Sequence, residues 1–443
     1  LVGSDGAVLA TLDFDKRSGD WRLKGGKHGE PVAQGSHPYG GVEILGQGRT
    51  AGTVIYTLTE QDETERWMEV PLAGGGAVEI LAEEELAGAL FDPRSGLLVG
   101  YLREGAMPEP VFFDKGRQAK VAATRKAFPG LNMRLASWNE AFDRLIVHTN
   151  GVGDSGTWWT VDLRSGKAED IGASYPAIKS GDVGPMKMVS YKAADGLEME
   201  GVLTLPPGRE ARNLPLVVFP HGGPQARDYA TFDWWAQAFA SRGYAVFQPN
   251  FRGSSGYGAA FTKAAEGERG RKMQTDISDG VAELARQGIV DPRRACIMGA
   301  SYGGYAALAG VTLQNGLYRC AVSVAGVSDL PAYYSYLVDN HGAASPAARN
   351  WKQDVGPRDE IKEISPAALA ARADAPVLLI HGKDDTVVPF EQSRAMEWAL
   401  SRAGKPVEMV TLKGEDHWLS SGDTRLQMLQ AAVAFVEKHN PAR

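Results

Sequence analysis

Cysteine is nearly absent from this chain of 443 residues, which contains only Cys296 and Cys320. Two cysteines cannot form the framework of several disulfides that holds many small secreted domains together, and no residues at metal-ligand spacing accompany them. They do not fix the compartment either, because a chain with so few thiols can work in a reducing or an oxidising environment. The cytoplasm and the periplasm therefore both stay open.

Long apolar stretches and long basic runs are also missing. No apolar stretch approaches the ~18 residues that a membrane-spanning helix needs. A formal net charge of −7 without a long basic run is unfavourable for binding nucleic acid or a membrane surface, so we expect neither partner. The 10 tryptophans, 14 tyrosines and 14 phenylalanines are spread along the chain, which excludes the disordered and low-complexity classes.

Short apolar segments recur in the first part of the chain. They start at Val8, Val54, Leu97 and Leu145, at intervals of 46, 43 and 48 residues. A period in the forties with several short strands per unit is typical of β-propeller blades, and an irregular β-sandwich is the alternative. We predict part of an all-β propeller, of about four blades, over residues 1–180.

A second repeat, Asp-x-Arg-Ser-Gly, occurs with its arginine at Arg17, Arg94 and Arg164. This composition suits tight hairpin turns, because glycine accepts a positive φ. About four blades are few for a propeller, and an open propeller exposes strand edges. We therefore expect a missing N-terminal segment or a second chain to complete the ring, or pairing with another copy of this chain.

Beyond about Pro185, strands and helices alternate. Continuous apolar runs, typical of strands buried on both faces, are Leu214–Phe219, Tyr244–Phe247, Ala295–Met298, Cys320–Val324 and Pro376–Ile380. An amphipathic helix is predicted from Asp276, with Thr275 or Asp276 as its cap. This alternation predicts a doubly wound, mostly parallel sheet covered on both faces over residues 181–443. The G-x-S-x-G motif at Ser301 makes this an α/β-hydrolase catalytic domain.

A nucleophile is predicted at Ser301. The sequence Gly299-Ala300-Ser301-Tyr302-Gly303 matches G-x-S-x-G and stands between a predicted strand and a helix-compatible run, which is the context of a nucleophile elbow. A serine hydroxyl is a weak nucleophile and needs a base and an orienting acid, which in this architecture follow in the order acid, then histidine.

The candidate base and acid follow two later strands. His417 is the predicted base, and a surface histidine in a polar loop is its alternative interpretation. The acid is Asp385 or its neighbour Asp384. Asp416 is a weaker candidate, because adjacent residues rarely orient each other's side chains from one loop. Both loops follow the carboxyl ends of strands, where sites on open α/β sheets lie.

Two backbone N–H groups are predicted to form an oxyanion hole. One belongs to Tyr302, the residue after the serine. The other is expected in the loop His221-Gly222-Gly223-Pro224, at Gly223 or alternatively at Gly222, because a glycine turn allows close approach of substrate. A plain tight turn is the non-functional interpretation of this loop.

Together these motifs resemble those of the prolyl oligopeptidase family of serine peptidases, and most of all its acylaminoacyl-peptidase and dipeptidyl-peptidase-like bacterial branch. The motifs that carry the resemblance are His221–Pro224, Asn250–Gly258, Gly299–Tyr305, His381–Pro389 and Gly414–His417. The resemblance covers residues 185–443 and implies that Asp385 is the acid. It also implies a preceding propeller, usually of seven or eight blades, so the four units here are expected to be incomplete.

The resemblance also implies a pocket for the P1 residue, which precedes the scissile bond. The candidate wall residues are Tyr302, Val388, Tyr333, Tyr334, Val327 and Leu330. Leu330 stands where some relatives have tryptophan, which argues against a strict preference for proline. Core packing is the alternative role of these side chains.

Dipeptidyl members of the family bind the substrate's free amine with a glutamate pair from the propeller. Glu83-Glu84-Glu85 is the acidic run available here, although such runs are usually a solvated face. Arg252 is expected to hold its own loop. The expected function is a serine peptidase acting on short peptides, without metal or organic cofactor. An esterase or amidase with the same triad, a specialised isopeptidase and a non-catalytic propeller scaffold are the alternatives.

Overall fold

The N-terminal repeats fold into small antiparallel sheets. The computed structural model describes residues 1–26, 29–60, 64–356 and 360–442, and four such sheets follow one another in this part of the chain. The first contains β1 (Ala10–Phe14), β2 (Asp20–Gly25) and β3 (Pro31–Ser36). The second contains β4 (Val42–Gln47), β5 (Thr53–Thr59), β6 (Glu65–Pro71) and β7 (Val78–Ile80).

The third and fourth sheets are joined by a helix. The third contains β8 (Leu86–Phe91), β9 (Leu98–Arg103) and β10 (Glu109–Phe112). Helix α1 (Lys115–Arg125) follows it. The fourth contains β11 (Leu131–Trp138), β12 (Arg144–Gly151), β13 (Asp154–Asp162) and β14 (Lys167–Ala173).

Neighbouring sheets bury their apolar faces against each other, as the blades of a propeller do. Strand β5 shows the alternation: Val54 and Tyr56 pack with Trp21 of the first sheet, whereas Ile55 packs with Leu98 of the third. Because side chains point alternately to the two faces of a strand, one blade fills two interfaces. The predicted partial propeller is confirmed in these sheets.

The Asp-x-Arg-Ser-Gly repeats are the turns of three hairpins, as predicted. Gly19, Gly96 and Gly166 have φ values of 83°, 71° and 68° there, which glycine adopts without steric cost. The aspartate closes each turn with its side chain. Asp162, for example, accepts the backbone N–H groups of the following arginine and serine at 2.9 and 3.1 Å. This explains why the repeat needs both residue types.

The second part of the chain forms one eight-stranded sheet, ordered β15-β16-β18-β17-β19-β20-β21-β22. Strands β17 to β22 are parallel, and β15 and β16 pair antiparallel at one edge. The strands are β15 (Met186–Lys192), β16 (Glu198–Thr204), β17 (Leu214–Val218), β18 (Ala245–Asn250), β19 (Val290–Ala300), β20 (Ala321–Val324), β21 (Val377–Gly382) and β22 (Val407–Leu412). This is the predicted α/β-hydrolase sheet.

Helices cover both faces of this sheet. They are α2 (Trp234–Ala240), α3 (Ala259–Lys263), α4 (Lys272–Arg286), α5 (Tyr302–Thr312), α6 (Leu330–His341), α7 (Pro346–Val355), α8 (Glu391–Arg402) and α9 (Gly422–His439). Short 3₁₀ helices span Ser180–Asp182, Ile361–Ile364 and Ala370–Arg372. Within the described ranges, no helix combines the length and apolar content of a membrane span.

The two faces of the sheet have separate cores. On β19, Ala295 and Ile297 pack with α4, α5 and α8, whereas Cys296 and Met298 pack with α2 and α9. We call these the α4 face and the α2 face. The predicted boundary after residue 180 falls between β14 and β15, and the division into domains there stays a prediction.

The start of α4 differs from the prediction. The helix begins at Lys272, so neither Thr275 nor Asp276 caps it, and that expectation was wrong. Asp276 is fully buried instead and accepts two hydrogen bonds from the Arg252 guanidinium, at 2.7 and 2.8 Å. The Asp276 carboxylate, which the local sequence offers as a helix cap, instead forms a tertiary ion pair with Arg252.

The two cysteines meet inside the sheet. Cys296 on β19 and Cys320, which precedes β20, are fully buried and joined by a disulfide, with 4.8 Å between their Cα atoms. The sequence excludes a framework of several disulfides but does not predict this single bridge, because the pairing depends on which strands become neighbours.

Candidate active site

Ser301 lies in the sharp turn between β19 and α5. Its φ of 57° and ψ of −119° are costly for a residue with a side chain, by about 1–3 kcal/mol. A Cβ at Gly299 would lie 2.4 Å from the backbone of Gly303, and one at Gly303 would lie 2.1 Å from the Pro220 carbonyl oxygen. Both flanking positions therefore require glycine, which gives the G-x-S-x-G spacing a steric cause.

His417 and Asp385 are hydrogen-bonded to each other, on the loops that follow β22 and β21. The distance from His417 Nδ1 to Asp385 Oδ2 is 2.6 Å, and the two side chains are 7% and 0% exposed. The other carboxylate oxygen accepts the N–H groups of Val387 and Val388 at 2.9 and 2.8 Å. The carboxylate can therefore fix both the orientation and the tautomer of the imidazole.

Asp385 stays ionised despite its burial. Burial by itself raises the pKa of this carboxyl, but hydrogen bonds from His381 and His417 outweigh that effect and hold the pKa well below its usual range. An ionised carboxylate at Nδ1 stabilises an imidazolium, which is what a histidine becomes when it takes a proton from a nucleophile.

The two other candidate acids have different surroundings. Asp384 is exposed to solvent. Asp416 accepts the Trp418 N–H at 2.9 Å and the Ser420 hydroxyl at 2.7 Å, so it organises its own loop. The hydrogen bond to the His417 ring is made by Asp385.

Glu415 orders the His417 loop from within, a role that was not predicted. Its carboxylate is buried and accepts the N–H groups of Ser420 and Ser421 at 2.7 and 3.3 Å, together with the Thr424 hydroxyl. The loop and the start of α9 are thereby tied together next to His417. A lone glutamate in a polar loop carries no sequence signal for this role.

The Asp385 loop is held by three side chains. His381 is fully buried, with Nε2 2.9 Å from the Val388 carbonyl oxygen and Nδ1 2.7 Å from the Ser393 hydroxyl. From α6, the hydroxyls of Tyr333 and Tyr336 donate to the Val387 and Thr386 carbonyls at 3.3 and 2.6 Å. Tyr333 was predicted as a pocket wall, and Tyr336 was not predicted.

The loop after β17 packs against the serine turn. A Cβ at Gly222 would lie 3.4 Å from the Ser301 Cβ, and Gly223 has a φ of 111°. His221 ties this loop down, with Nδ1 2.8 Å from the Gly222 carbonyl oxygen and Nε2 2.9 Å from the Ser254 hydroxyl. Burial lowers the pKa of His221 to about 4, so the ring is neutral near pH 7. The donor assigned to Gly223 stays a prediction.

Arg252 holds its loop, as expected. Besides its bonds to Asp276, its guanidinium makes two hydrogen bonds to Asp195, at 3.0 and 3.1 Å. Bidentate pairs of this kind fix geometry as well as charge. The arginine therefore links the loop after β18 to α4 and to the β15–β16 turn.

The predicted P1 residues come together on the α4 face. Tyr302, Val327, Leu330 and Val388 are buried in its core, and Tyr333 and Tyr334 pack against them half-buried. Their role as pocket walls stays a prediction. A contact that was not predicted is the guanidinium of Arg269, which lies 5.3 Å from the centre of the Tyr302 ring.

The acidic run Glu83–Glu85 lies between β7 and β8. Glu84 accepts hydrogen bonds from an arginine of its own sheet, and the flanking glutamates are exposed. A propeller carboxylate that reaches the hydrolase is Glu104, which accepts hydrogen bonds from Arg227 at 3.0 Å and the Tyr229 hydroxyl at 2.9 Å. Nothing in the sequence distinguishes Glu104 from other loop glutamates.

The sheet order, the strained serine turn and the histidine–carboxylate pair define an α/β hydrolase preceded by propeller blades. Comparison with known proteins makes the class more specific. Residues 230–441 match the model of the prolyl oligopeptidase family. This match agrees with the family that the motifs resemble.

Individual relatives agree with this placement. Dipeptidyl aminopeptidase BIII of Pseudoxanthomonas mexicana is 28% identical, over 87% of this chain and 61% of its own length. A puromycin-hydrolyzing peptidase of Mycobacterium tuberculosis matches with a TM-score of 0.75 and 24% identity, over 100% of this chain and 69% of that one. An acylaminoacyl peptidase of Pyrococcus horikoshii matches with a TM-score of 0.73 and 22% identity, over 98% of this chain and 69% of that one. The chain thus spans about three fifths of the first relative, and the two structures establish a shared fold.

Proposed function

We propose that this protein is a serine peptidase that hydrolyses short peptides through an acyl-enzyme. The observation that carries the proposal is the buried 2.6 Å hydrogen bond between His417 and Asp385, on the same edge of the sheet as the strained turn of Ser301. The carboxyl ends of parallel strands meet at that edge, where sites of open α/β sheets lie. The match of residues 230–441 to a peptidase family supports the same reaction.

In the proposed first half-reaction, Ser301 Oγ attacks the scissile carbonyl carbon while His417 Nε2 takes the hydroxyl proton. The Asp385 carboxylate accepts the Nδ1–H and stabilises the imidazolium. The oxyanion accepts hydrogen bonds from the N–H groups of Tyr302 and Gly223. The C–N bond then breaks, and His417 gives its proton to the departing amine.

In the second half-reaction, water replaces the amine. His417 takes a proton from the water as its oxygen attacks the acyl carbon, and the same oxyanion hole stabilises the second tetrahedral intermediate. The C–O bond to Ser301 breaks, and the serine oxygen recovers its proton from His417. The products are a carboxylic acid and the free enzyme, and no metal or organic cofactor takes part in this scheme.

The names of relatives support two substrate types. A dipeptidyl aminopeptidase and an acylaminoacyl peptidase are both among them. The first type implies release of a dipeptide from a free N-terminus, and the second implies release of an acylated amino acid from a blocked one. Both use the same acyl transfer, so the proposal extends to either and leaves the choice to experiment.

The test compares an acetyl-aminoacyl p-nitroanilide with a free-amine dipeptidyl p-nitroanilide that has the same P1 residue. We expect hydrolysis of one in preference to the other, and its loss in Ser301→Ala. Hydrolysis that persists in Ser301→Ala would contradict the proposal. Cleavage of p-nitrophenyl acetate alone, with the same dependence on Ser301, would assign the protein to the esterases.

A further inference from the structure

A groove lies beside Ser301 on the α2 face, opposite to the predicted P1 residues. Its volume is about 230 Å³, which is below the ~300–1,000 Å³ usual for sites that hold a whole small ligand and suits a single side chain. Gly222 and Ala300 line the end of the groove next to the serine. Ala300 directly precedes Ser301, and a Cβ at Gly222 would lie 3.4 Å from the Ser301 Cβ. The groove therefore adjoins the nucleophile.

The residues of the serine turn separate two sides of the site. Tyr302 belongs to the core of the α4 face, together with Val327 and Val388. Ala300 packs against the core of the α2 face, together with Trp234. A peptide bound across Ser301 has its acyl part on one side of the nucleophile and its leaving group on the other. If the α4 face receives the acyl part, the groove on the α2 face receives the leaving group.

Two aspartates line this groove without a cationic partner. Burial raises the pKa of Asp228 to about 7 and that of Asp233 to about 6, and the charge of Asp228 adds to the second shift. Gln248 hydrogen-bonds to Asp228, and Asp233 caps α2 by accepting the Ala236 N–H at 2.7 Å. Among the described residues, neither carboxylate forms an ion pair with lysine or arginine.

The rest of the groove supplies no positive charge. Arg227, next to Asp228 in the chain, is paired with Glu104 of the propeller at 3.0 Å. His221 lines the groove but is neutral because its pKa is about 4. Desolvated carboxylates without a counter-ion are unfavourable, so a cation that enters the groove improves their electrostatic environment.

Aromatic rings form the remaining wall. Phe219 and Trp235 are stacked, with 5.0 Å between ring centres and 12° between planes, and Trp234 meets Trp235 edge-on at 5.3 Å. Such surfaces pack well against an alkyl chain, and ring faces attract cations. An aromatic wall with carboxylates matches a side chain that has an apolar stem and a positive end.

We propose that this groove is the subsite for the leaving group and that it selects lysine or arginine at P1′, the residue directly after the scissile bond. The alkyl stem lies along the aromatic wall, and the charged end lies between Asp228 and Asp233. This inference rests on the proposed function, because it places the leaving group relative to an attack by Ser301. It adds a specificity that neither the family nor the names of relatives supply.

The test uses internally quenched peptides that are identical except at P1′, which is lysine, Nε-acetyl-lysine or norleucine. For the unaltered protein, we expect kcat/KM to be about tenfold higher with lysine than with either neutral residue, which corresponds to ~1.4 kcal/mol. This comparison needs no substitution, so it does not depend on whether a variant folds. Equal rates for the three peptides would overturn the inference.

Substitutions of the two aspartates test whether they cause the preference for lysine at P1′. Asp228→Asn and Asp233→Asn should lower the preference for lysine toward one, and asparagine retains the capping ability of Asp233. The matched control is Glu169→Gln, which removes one negative charge from the exposed strand β14 and should leave the preference unchanged. A preference that survives in both aspartate variants would overturn the assignment to this groove.

Failure of the inference can be told apart from failure of the proposed function. The p-nitroanilides have no P1′ side chain, so their Ser301-dependent hydrolysis by the unaltered protein tests the proposed function without the lysine preference. If the unaltered protein hydrolyses them, loss of the lysine preference in the aspartate variants supports the subsite. If neither peptides nor p-nitroanilides are cleaved in a Ser301-dependent way, the proposed function and this inference both fail.

Discussion

Glu104 of the propeller and Arg227 of the hydrolase form an ion pair that is buried where the two parts of the chain meet. Their side chains are 8% and 5% exposed, and 3.0 Å separates Oε1 from Nη1. The same glutamate oxygen accepts the Tyr229 hydroxyl, and Arg227 also donates to the Gly256 carbonyl at 2.8 Å. One propeller carboxylate thus contacts the loop after β17 and is linked through Arg227 to the loop after β18.

Glu104→Gln should destabilise the protein strongly, because the buried Arg227 charge then retains only the more distant carboxylate of Glu200, at 3.9 Å. We expect a loss of about 3 kcal/mol in the free energy of unfolding and a lower rate of p-nitroanilide hydrolysis. Urea denaturation followed by tryptophan fluorescence measures the first. The control is Glu84→Gln, whose ion pair with Arg103 is accessible to solvent and should contribute much less to stability. Equal stability of the two variants would contradict a structural role for Glu104.

The strain at Ser301 predicts a difference between two inactive variants. Ser301→Ala keeps a side chain at a φ of 57°, whereas Ser301→Gly removes the steric cost of that conformation. Both should lose Ser301-dependent hydrolysis, and the glycine variant should be about 1 kcal/mol more stable than the alanine variant. Thermal unfolding of the two proteins side by side measures this. A glycine variant less stable than the alanine variant would argue against strain at the turn.

The pair Asp384 and Asp385 offers a matched test of the acid. Asp385→Asn should reduce kcat by about 10⁴-fold, because an amide can favour the wrong tautomer of His417. Asp384→Asn removes a neighbouring exposed carboxylate and should leave kcat within about twofold. Hydrolysis of the preferred p-nitroanilide measures both variants. Similar losses in the two would mean that the loop as a whole, and not the Asp385 carboxylate, sets the rate.

Sequence reasoning succeeds where the cause is local. Gly299 has to be small because a Cβ there would meet the backbone of Gly303, four residues further along the same turn. Sequence reasoning fails where a partner is distant in the chain. Asp276 resembles a helix cap until Arg252, 24 residues away, is brought beside it. Glu104 lies 123 residues from Arg227, and no local sequence pattern predicts that contact.

The same distinction applies to the candidate site. The three residues of the proposed triad follow strand ends, so their order and spacing can be recognised in sequence. The roles of Glu415, Tyr336 and the groove aspartates depend on contacts that form only when loops from several strands pack together. Burial converts an ordinary loop residue into a positioned hydrogen-bond acceptor or an unpaired charge. A single sequence contains no signal for that change.

The raised pKa values of Asp228 and Asp233 predict a dependence on pH that can be measured as stability. An aspartate in the unfolded chain titrates near 3.9, whereas these two titrate at about 7 and 6 in the folded protein. Between pH 4 and pH 7 the folded state therefore binds more protons than the unfolded state, and the contribution of these groups to stability falls as pH rises. Above pH 7 both are ionised, and their burial destabilises the fold.

Asp228→Asn removes the carboxyl group whose pKa is raised more by burial. Relative to the unaltered protein, this variant should gain melting temperature at pH 8 and gain little at pH 5, where Asp228 is already protonated in the folded state. Glu169→Gln, on the exposed strand β14, should show no such dependence on pH. Over the same interval the preference for lysine at P1′ should rise, because the groove gains negative charge as the two aspartates ionise. If Asp228→Asn changes the melting temperature by the same amount at pH 5 and at pH 8, Asp228 is ionised at both pH values in the folded protein. The preference for lysine should then be independent of pH as well.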